Sequence, residues 1–371
     1  MKIEIITMHG VQNYGSALQA FATKKLLEKH HCQVVFIDYV QKHLLPENIV
    51  STWAKGNPLK AIAIFPTTVK WKKVFYEFCA KNLNLTKKRY TGIEDFADYQ
   101  SDADAFCTGS DQVWNSIWNR GIDYPLYLSF IPKNKYKFAL SASFGQEWLS
   151  EEEVSLTKPY IDQYKRIAVR EVSGLDILSK QYGYKNAIQL CDPTISLSGD
   201  DWRKYSSAKK INGDYILIYN LNRSKAFDEY AKKLSKLTGL KLVRFCTRYD
   251  QFYRCGKSIL VPEVFDFISL IDGAKYVLTD SFHATAFSMN LNTEPICIYP
   301  KDFGGRLDSF LKLVKSEHRH IRNYDDFDVI NRPVDFKVVN QILANERDRI
   351  NCYVNNVINE VKQYNGENGM R

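Results

Sequence analysis

Apolar residues recur along this chain in two rhythms. Short continuous runs, IEIIT (3–7), VVFIDY (34–39), ADAFCTG (103–109), KFALSAS (137–143), RIAVR (166–170) and NAIQLC (186–191), suit buried parallel strands. Between them lie stretches with helical spacing, such as SALQAFATKKLLEKH (16–30) and segments near 151–163 and 172–182. The same alternation restarts at DYILIYNL (214–221) and continues with a helix over 224–238 ending at Gly239, then the strand KLVRFC (241–246). Pro262 is expected to open a helix through VFDFISLIDGA, followed by KYVLTD, a helix and EPICIYP. From Asp335 to Tyr364 the pattern is helical, and the last seven residues read as frayed.

The alternation predicts an α/β protein of two Rossmann-like, doubly wound domains facing a cleft, with a long C-terminal helical segment. The boundaries read as 1–198, 210–335 and 336–371, with a linker near 196–212. In such folds ligands bind beyond the carboxyl ends of the strands, so motifs are weighed by whether they fall there.

Length and composition narrow the class. The chain has 371 residues, 45% hydrophobic and 25% charged, the profile of a globular protein. No run approaches the length needed to span a membrane, and Met1-Lys2-Ile3-Glu4 leads into a strand rather than a signal peptide. Eight scattered cysteines without a CxxC pair predict a reducing cytoplasm, no disulfide framework and no zinc site. No acidic or histidine cluster suggests another metal. The net charge of +9 is concentrated: residues 42–92 hold ten Lys/Arg against Glu47 and Glu77, interleaved with Trp53, Phe65, Trp71, Phe75, Tyr76 and Phe78. This basic insertion is a helical segment with a solvated face or a patch for anionic lipid or a lipid-linked acidic substrate. Nucleic acid is not expected, because no recognition motif or second basic stripe accompanies it.

Five motifs, most of them at strand ends, carry chemistry. In HGVQNYGS (9–16), Asn13, Tyr14 and Gly15 form either a structural turn or a binding loop, and the spacing is not GxGxxG. In GSDQVW (109–114), Ser110, Asp111 and Gln112 gather a hydroxyl, a carboxylate and an amide; Asp111 is either a helix cap or a base for a sugar hydroxyl. In AVREVSG (168–174), Arg170 either pairs with a carboxylate or clamps a phosphate or carboxylate ligand. In GGRLDSF (304–310), Arg306 follows two glycines at a helix start suited to an anion. In VLTDSFHATAFSMN (277–290), Asp280 or Ser281 caps a helix whose first turn carries His283, either a packed histidine or a proton donor beside a bound anion.

Taken in order, GSDQVWN, SASFG, IAVRE, CDPT and TDSFHATAFS resemble the polysaccharide pyruvyl transferase family, from HGVQNYGSALQA to GGRLDSFL. The resemblance implies a GT-B-like pair of Rossmann domains, the N-terminal one on the acceptor side and the C-terminal one on the donor side. It also implies transfer of a pyruvyl group from phosphoenolpyruvate to a pair of saccharide hydroxyls, forming a ketal in cell-surface polysaccharide biosynthesis. No cofactor is implied beyond that donor substrate. His283 matches the family's histidine as candidate acid, Arg170 the arginine of the VRE motif as anion clamp, and Asp111 a base or acceptor-binding group. Ser281 and Arg306 join the donor side. Many members carry Arg-Leu-His where this chain has Ser281-Phe282-His283, so Arg306 is the candidate to replace the missing cation. A polyprenyl-linked acceptor at the inner membrane face would fit the basic insertion; a soluble saccharide is the other form. The alternatives are a GT-B glycosyltransferase using a nucleotide sugar and a catalytically silent sugar- or lipid-binding protein.

Overall fold

Burial of apolar runs on both faces drives the strands into two parallel sheets, here described from a computed structural model covering residues 1–208, 211–222, 224–299 and 305–369. The chain begins β1 (Lys2–Ile6), α1 (Tyr14–Lys29), β2 (Gln33–Tyr39), α2 (Pro46–Ala54), α3 (Pro58–Trp71), α4 (Glu77–Asn82) and β3 (Leu85–Tyr90). It continues β4 (Ala105–Thr108), α5 (Ser116–Asn119), β5 (Tyr136–Ala142), α6 (Glu151–Ile161), β6 (Tyr164–Val169), α7 (Val172–Asp176) and β7 (Ile188–Gln189). After α8 (Gly199–Arg203) come β8 (Tyr215–Tyr219), α9 (Lys225–Thr238), β9 (Lys241–Cys246) and β10 (Lys257–Leu260). Then follow α10 (Asp266–Asp272), β11 (Tyr276–Thr279), α11 (Phe282–Leu291), β12 (Glu294–Cys297), α12 (Gly305–Leu313) and α13 (Phe336–Gly369).

The first sheet has the order β3-β2-β1-β4-β5-β6-β7 and the second β10-β9-β8-β11-β12. Every pairing is parallel. In each, the order reverses beside the first strand of its unit, the doubly wound arrangement that the alternation predicts. The chain divides into two compact units, one of residues 1–48, 75–196 and 346 onward, the other of Ile49–Val74 and Leu197–Asn345. The division differs from the sequence boundaries: the second unit already begins at Leu197, within the expected linker. Ile49–Val74, read as an insertion in the N-terminal domain, clusters with the second unit, and α13 passes from the second unit into the first at Glu346.

Several local expectations are corrected. Pro262 does not open a helix: α10 starts at Asp266, whose carboxylate accepts the Glu263 N–H at 2.9 Å and closes a turn ahead of it. NAIQLC supplies only the two-residue β7. The expected linker contains α8, capped reciprocally by Ser198 and Asp201, while Lys209 and Lys210 lie outside the described residues. The C-terminal helix runs on through Gly369 instead of fraying after Tyr364, and Met370 and Arg371 lie outside the description. Two strands were not expected at all, β3 (LTKKRY) and β10 (KSIL). Both are edge strands; Lys87, Lys88 and Arg89 erase the apolar signature of β3, and β10 is four residues long with no buried position. Among the described residues no helix is long and apolar enough to cross a membrane, and no His, Cys, Asp and Glu group is arranged to hold a metal.

Candidate functional site

In the first unit the segments after β4, β5, β6 and β7, with the start of α1, converge on Arg170. Gly109 lets the chain leave β4 against β1, since a Cβ there would lie 2.9 Å from Thr7 Cβ. Asp111 then takes a positive φ of 75° and bridges to Ala142, and Ser141 on β5 has φ 53°. The β5–β6 register shifts between Ala139 and Ala142, a bulge that re-aims the strand ends, as such irregularities do beside functional sites. Asp111 is therefore no helix cap: α5 is capped by Asn115, which accepts from Ile117 N and Trp118 N.

Arg170 is buried and held by carboxylates on three sides. Its Nε donates to Glu171 at 3.0 Å, one Nη donates to Asp192 at 2.9 Å, and the other lies 3.7 Å from Asp111. Burial works against the guanidinium charge, but Glu171, Asp192 and Asp111 outweigh it and raise its pKa. Within the protein this arginine pairs with carboxylates. The carboxylates are in turn hydrogen-bonded: Ser110 Oγ donates to Asp192 at 3.2 Å and Ser143 Oγ to Glu171 at 2.9 Å. Thr194 donates to Asp192 through N–H and hydroxyl, and Asp111 accepts from Ser16 Oγ and Gln112 N. The members come from the segments after β4, β5, β6 and β7 and from the start of α1, so fixing Asp111 takes the whole network.

The loop HGVQNYGS leads into α1. Asn13 caps α1 by accepting from Gly15 N and Ser16 N, and the buried Tyr14 packs edge-on against Phe75 at 5.0 Å. Gln112 is occupied with Asn115. Ser16, not singled out in the sequence, is the residue of this loop that reaches Asp111. A second buried group was also missed: His9 Nε2 lies 3.3 Å from Asp38, which accepts from Arg89 Nε at 2.9 Å. A small cavity beside them is lined by His9, Asp38, Tyr76, Cys79 and Arg89.

In the second unit, β11 ends at Thr279 and α11 begins at Phe282 with Ser281 as its cap, the hydroxyl accepting from Ala284 N. Of the two residues offered as cap, Asp280 has another task. Its oxygens accept Leu221 N at 2.7 Å and Asn222 N at 2.8 Å, fastening the loop after β8. Burial pushes its carboxyl up, and those N–H bonds oppose the shift. Asn220 in the same loop is held by Arg244 at 3.1 Å, and Arg244 is anchored to Asp228 at 2.7 Å. His283 is thus the second residue of α11, 7% exposed, with its ring edge-on to Phe282 at 5.2 Å. Arg306 is the second residue of α12; Gly304, the first glycine of its motif, lies outside the described residues. Phe282 reaches α12 through Phe310, with ring centres 5.7 Å apart.

The model of the polysaccharide pyruvyl transferase family matches residues 13–302. The chain belongs to this family. None of the curated proteins searched matches it. Among solved structures, UDP-N-acetylglucosamine 2-epimerase from Rickettsia bellii is 10% identical, with 98% of each chain covered and a TM-score of 0.54. The Neisseria meningitidis UDP-GlcNAc 2-epimerase bound to UDP-GlcNAc is 12% identical, covering 98% of this chain and 99% of the other, with a TM-score of 0.50. At such identity the likeness is one of fold, a GT-B-like pair of Rossmann units.

Within this pyruvyl transferase family member, the sequence candidates fall into two groups. Ser110, Asp111 and Arg170 share one network in the first unit, alongside Glu171, Asp192, Ser16 and Ser143. Ser281 and His283 stand together at the start of α11. Asp192 belongs to CDPT and Ser143 to SASFG, two of the motifs that carry the resemblance, so those motifs were the available signal.

Proposed function

We propose that this chain transfers a pyruvyl group from phosphoenolpyruvate to two hydroxyls of a saccharide. The observation that carries this reading is His283 on the first turn of α11, directly behind a parallel strand, in a chain of the pyruvyl transferase family. A helix N-terminus attracts the donor's phosphate or carboxylate. A bound anion there favours the imidazolium, which can then donate.

His283 protonates the methylene carbon, converting C2 of the donor into an oxocarbenium-like centre. A sugar hydroxyl attacks C2, the bond from C2 to the phosphate oxygen breaks, and a second hydroxyl closes the ketal. Of the two hydroxyl protons released, one restores His283 and the other leaves with phosphate. Ser281 and Arg306 hold the donor, Arg306 replacing the cation of the family's Arg-Leu-His. Asp111 accepts a hydroxyl proton of the saccharide. Arg170 acts as a positioning residue for Asp111, because three carboxylates already oppose its charge. The donor supplies the reactive group, so no further cofactor enters.

The test is a calorimetric titration of the full chain with phosphoenolpyruvate and, in parallel, a uridine-diphosphate sugar. Selective binding of phosphoenolpyruvate is expected. His283→Gln should bind it within a few-fold while phosphate release in the presence of saccharide falls by about 10² to 10⁴. Binding of the nucleotide sugar alone would replace this reading with glycosyl transfer.

A further inference from the structure

α3 is an amphipathic helix mounted the wrong way round for water. At 100° per residue, Leu59, Ile62, Phe65, Pro66 and Val69 fall within one arc of roughly 120°. That arc faces outward: Leu59 is 76% exposed, Ile62 72%, Phe65 58% and Val69 56%. The side turned to its own unit contains Thr67 and Thr68 beside Ile64 and Trp71. Thr67 accepts Tyr249 N at 3.0 Å, Trp71 Nε1 donates to Thr247 O at 2.8 Å, and Lys70 pairs with Glu263 at 2.9 Å. The helix is therefore fixed to the second unit through these polar contacts together with buried Ile64 and Trp71, and its apolar stripe is displayed. Trp53, 45% exposed on α2, stands beside it, ring to ring with Trp71 at 5.6 Å and beneath Arg248.

Contiguous apolar surface of this kind marks an interaction site. Its charge identifies the occupant. Residues 49–74 hold five lysines and no acid. Lys55, Lys60, Lys72 and Lys73 are exposed, and none forms an ion pair among the described residues. A second copy would bring the same +5 against itself, whereas an anionic lipid surface offers apolar depth under a layer of negative headgroups. We propose that α2 and α3 form a docking surface for an anionic membrane, with Leu59, Ile62, Phe65 and Val69 entering the acyl boundary. The lysines meet the headgroups. This placement is independent of the donor chemistry, and it would bring the enzyme to the surface where a polyprenyl-linked saccharide resides.

The full chain is mixed with phosphatidylcholine vesicles, with or without one-third phosphatidylglycerol, and sedimented. Binding to the anionic vesicles only is expected, declining with salt. Ile62→Ser with Phe65→Ser should lower the partition about tenfold or more. Lys60→Gln with Lys72→Gln should lower it about fivefold per lysine. All these positions are exposed, and unchanged thermal unfolding verifies that the variants fold. Equal recovery with neutral vesicles, no recovery with either, or undiminished binding by the serine variant would overturn the proposal. So would a dimer in light scattering that needs Phe65 and forms in place of vesicle binding.

Discussion

The two Rossmann-like units solve one local problem, how to hold the candidate site's side chains at strand ends, by opposite means. The first unit uses charge. Arg170 is encircled by Glu171, Asp192 and Asp111, with serine and threonine hydroxyls satisfying the remaining carboxylate oxygens. The second unit uses the backbone. Asp280 grips two consecutive N–H groups of the loop after β8, and Ser281 caps α11, so His283 inherits its place from main-chain geometry. A charge network fixes several side chains at once but fails if one member is removed. A backbone clamp is local and loses only what it touches.

The contrast breaks most visibly at Arg170. Arg170→Met leaves three buried carboxylates without their cation, and the first unit should lose about 3–5 kcal/mol. Urea unfolding followed by tryptophan fluorescence measures it. The sign of the pH effect is a second check. Without the guanidinium the folded carboxylates bind protons more tightly than in the unfolded chain, so the variant should regain stability as pH falls. A cost below 1 kcal/mol that does not change with pH would mean that the network is not held by charge.

In the second unit Asp280→Asn retains one acceptor and presents an NH₂ to the other N–H. The expected cost is about 1–3 kcal/mol, with faster hydrogen exchange at the Leu221 and Asn222 amides. Amides that stay protected would show that Arg244 and Asn220 hold this loop without Asp280.

The difference between the units also explains what the sequence disclosed. Buried parallel strands write themselves as apolar runs, so ten of the twelve were legible; of the two missed edge strands, β3 is masked by Lys87, Lys88 and Arg89, and β10 is four residues long with no buried position. A cap is likewise local: Ser281 and the first-turn position of His283 could be read from a few consecutive letters. The network around Arg170 could not. Ser16, Asp111, Ser143, Arg170 and Asp192 lie on separate loops, and only the sheet order brings them together. The orientation of α3 was hidden for a related reason. Its sequence offers apolar side chains on one face and threonines on the other, and which face turns inward is decided by Tyr249, Thr247 and Glu263, far along the chain.

A smaller effect sharpens the role of carboxylates in the first unit. Lys137, near the start of β5, is also buried there, but its ammonium meets only neutral acceptors: Leu128 O at 3.1 Å, Ile131 O at 2.6 Å and Gln163 Oε1 at 2.6 Å. Burial, with a contribution from Lys133, brings its pKa down to about 8, the opposite direction from Arg170. Between that value and about 10.4, where an unfolded lysine titrates, the unfolded chain binds more protons than the folded one, so this group makes stability rise with pH. The slope is at most about 1.4 kcal/mol per pH unit. Lys137→Met removes the group, and the gap in urea midpoint between variant and wild type should shift in favour of wild type from pH 8 to pH 10. A gap that stays constant would mean that three neutral acceptors hold the charged form as well as water does. The carboxylates around Arg170 would then be serving Asp111 rather than keeping a buried cation charged.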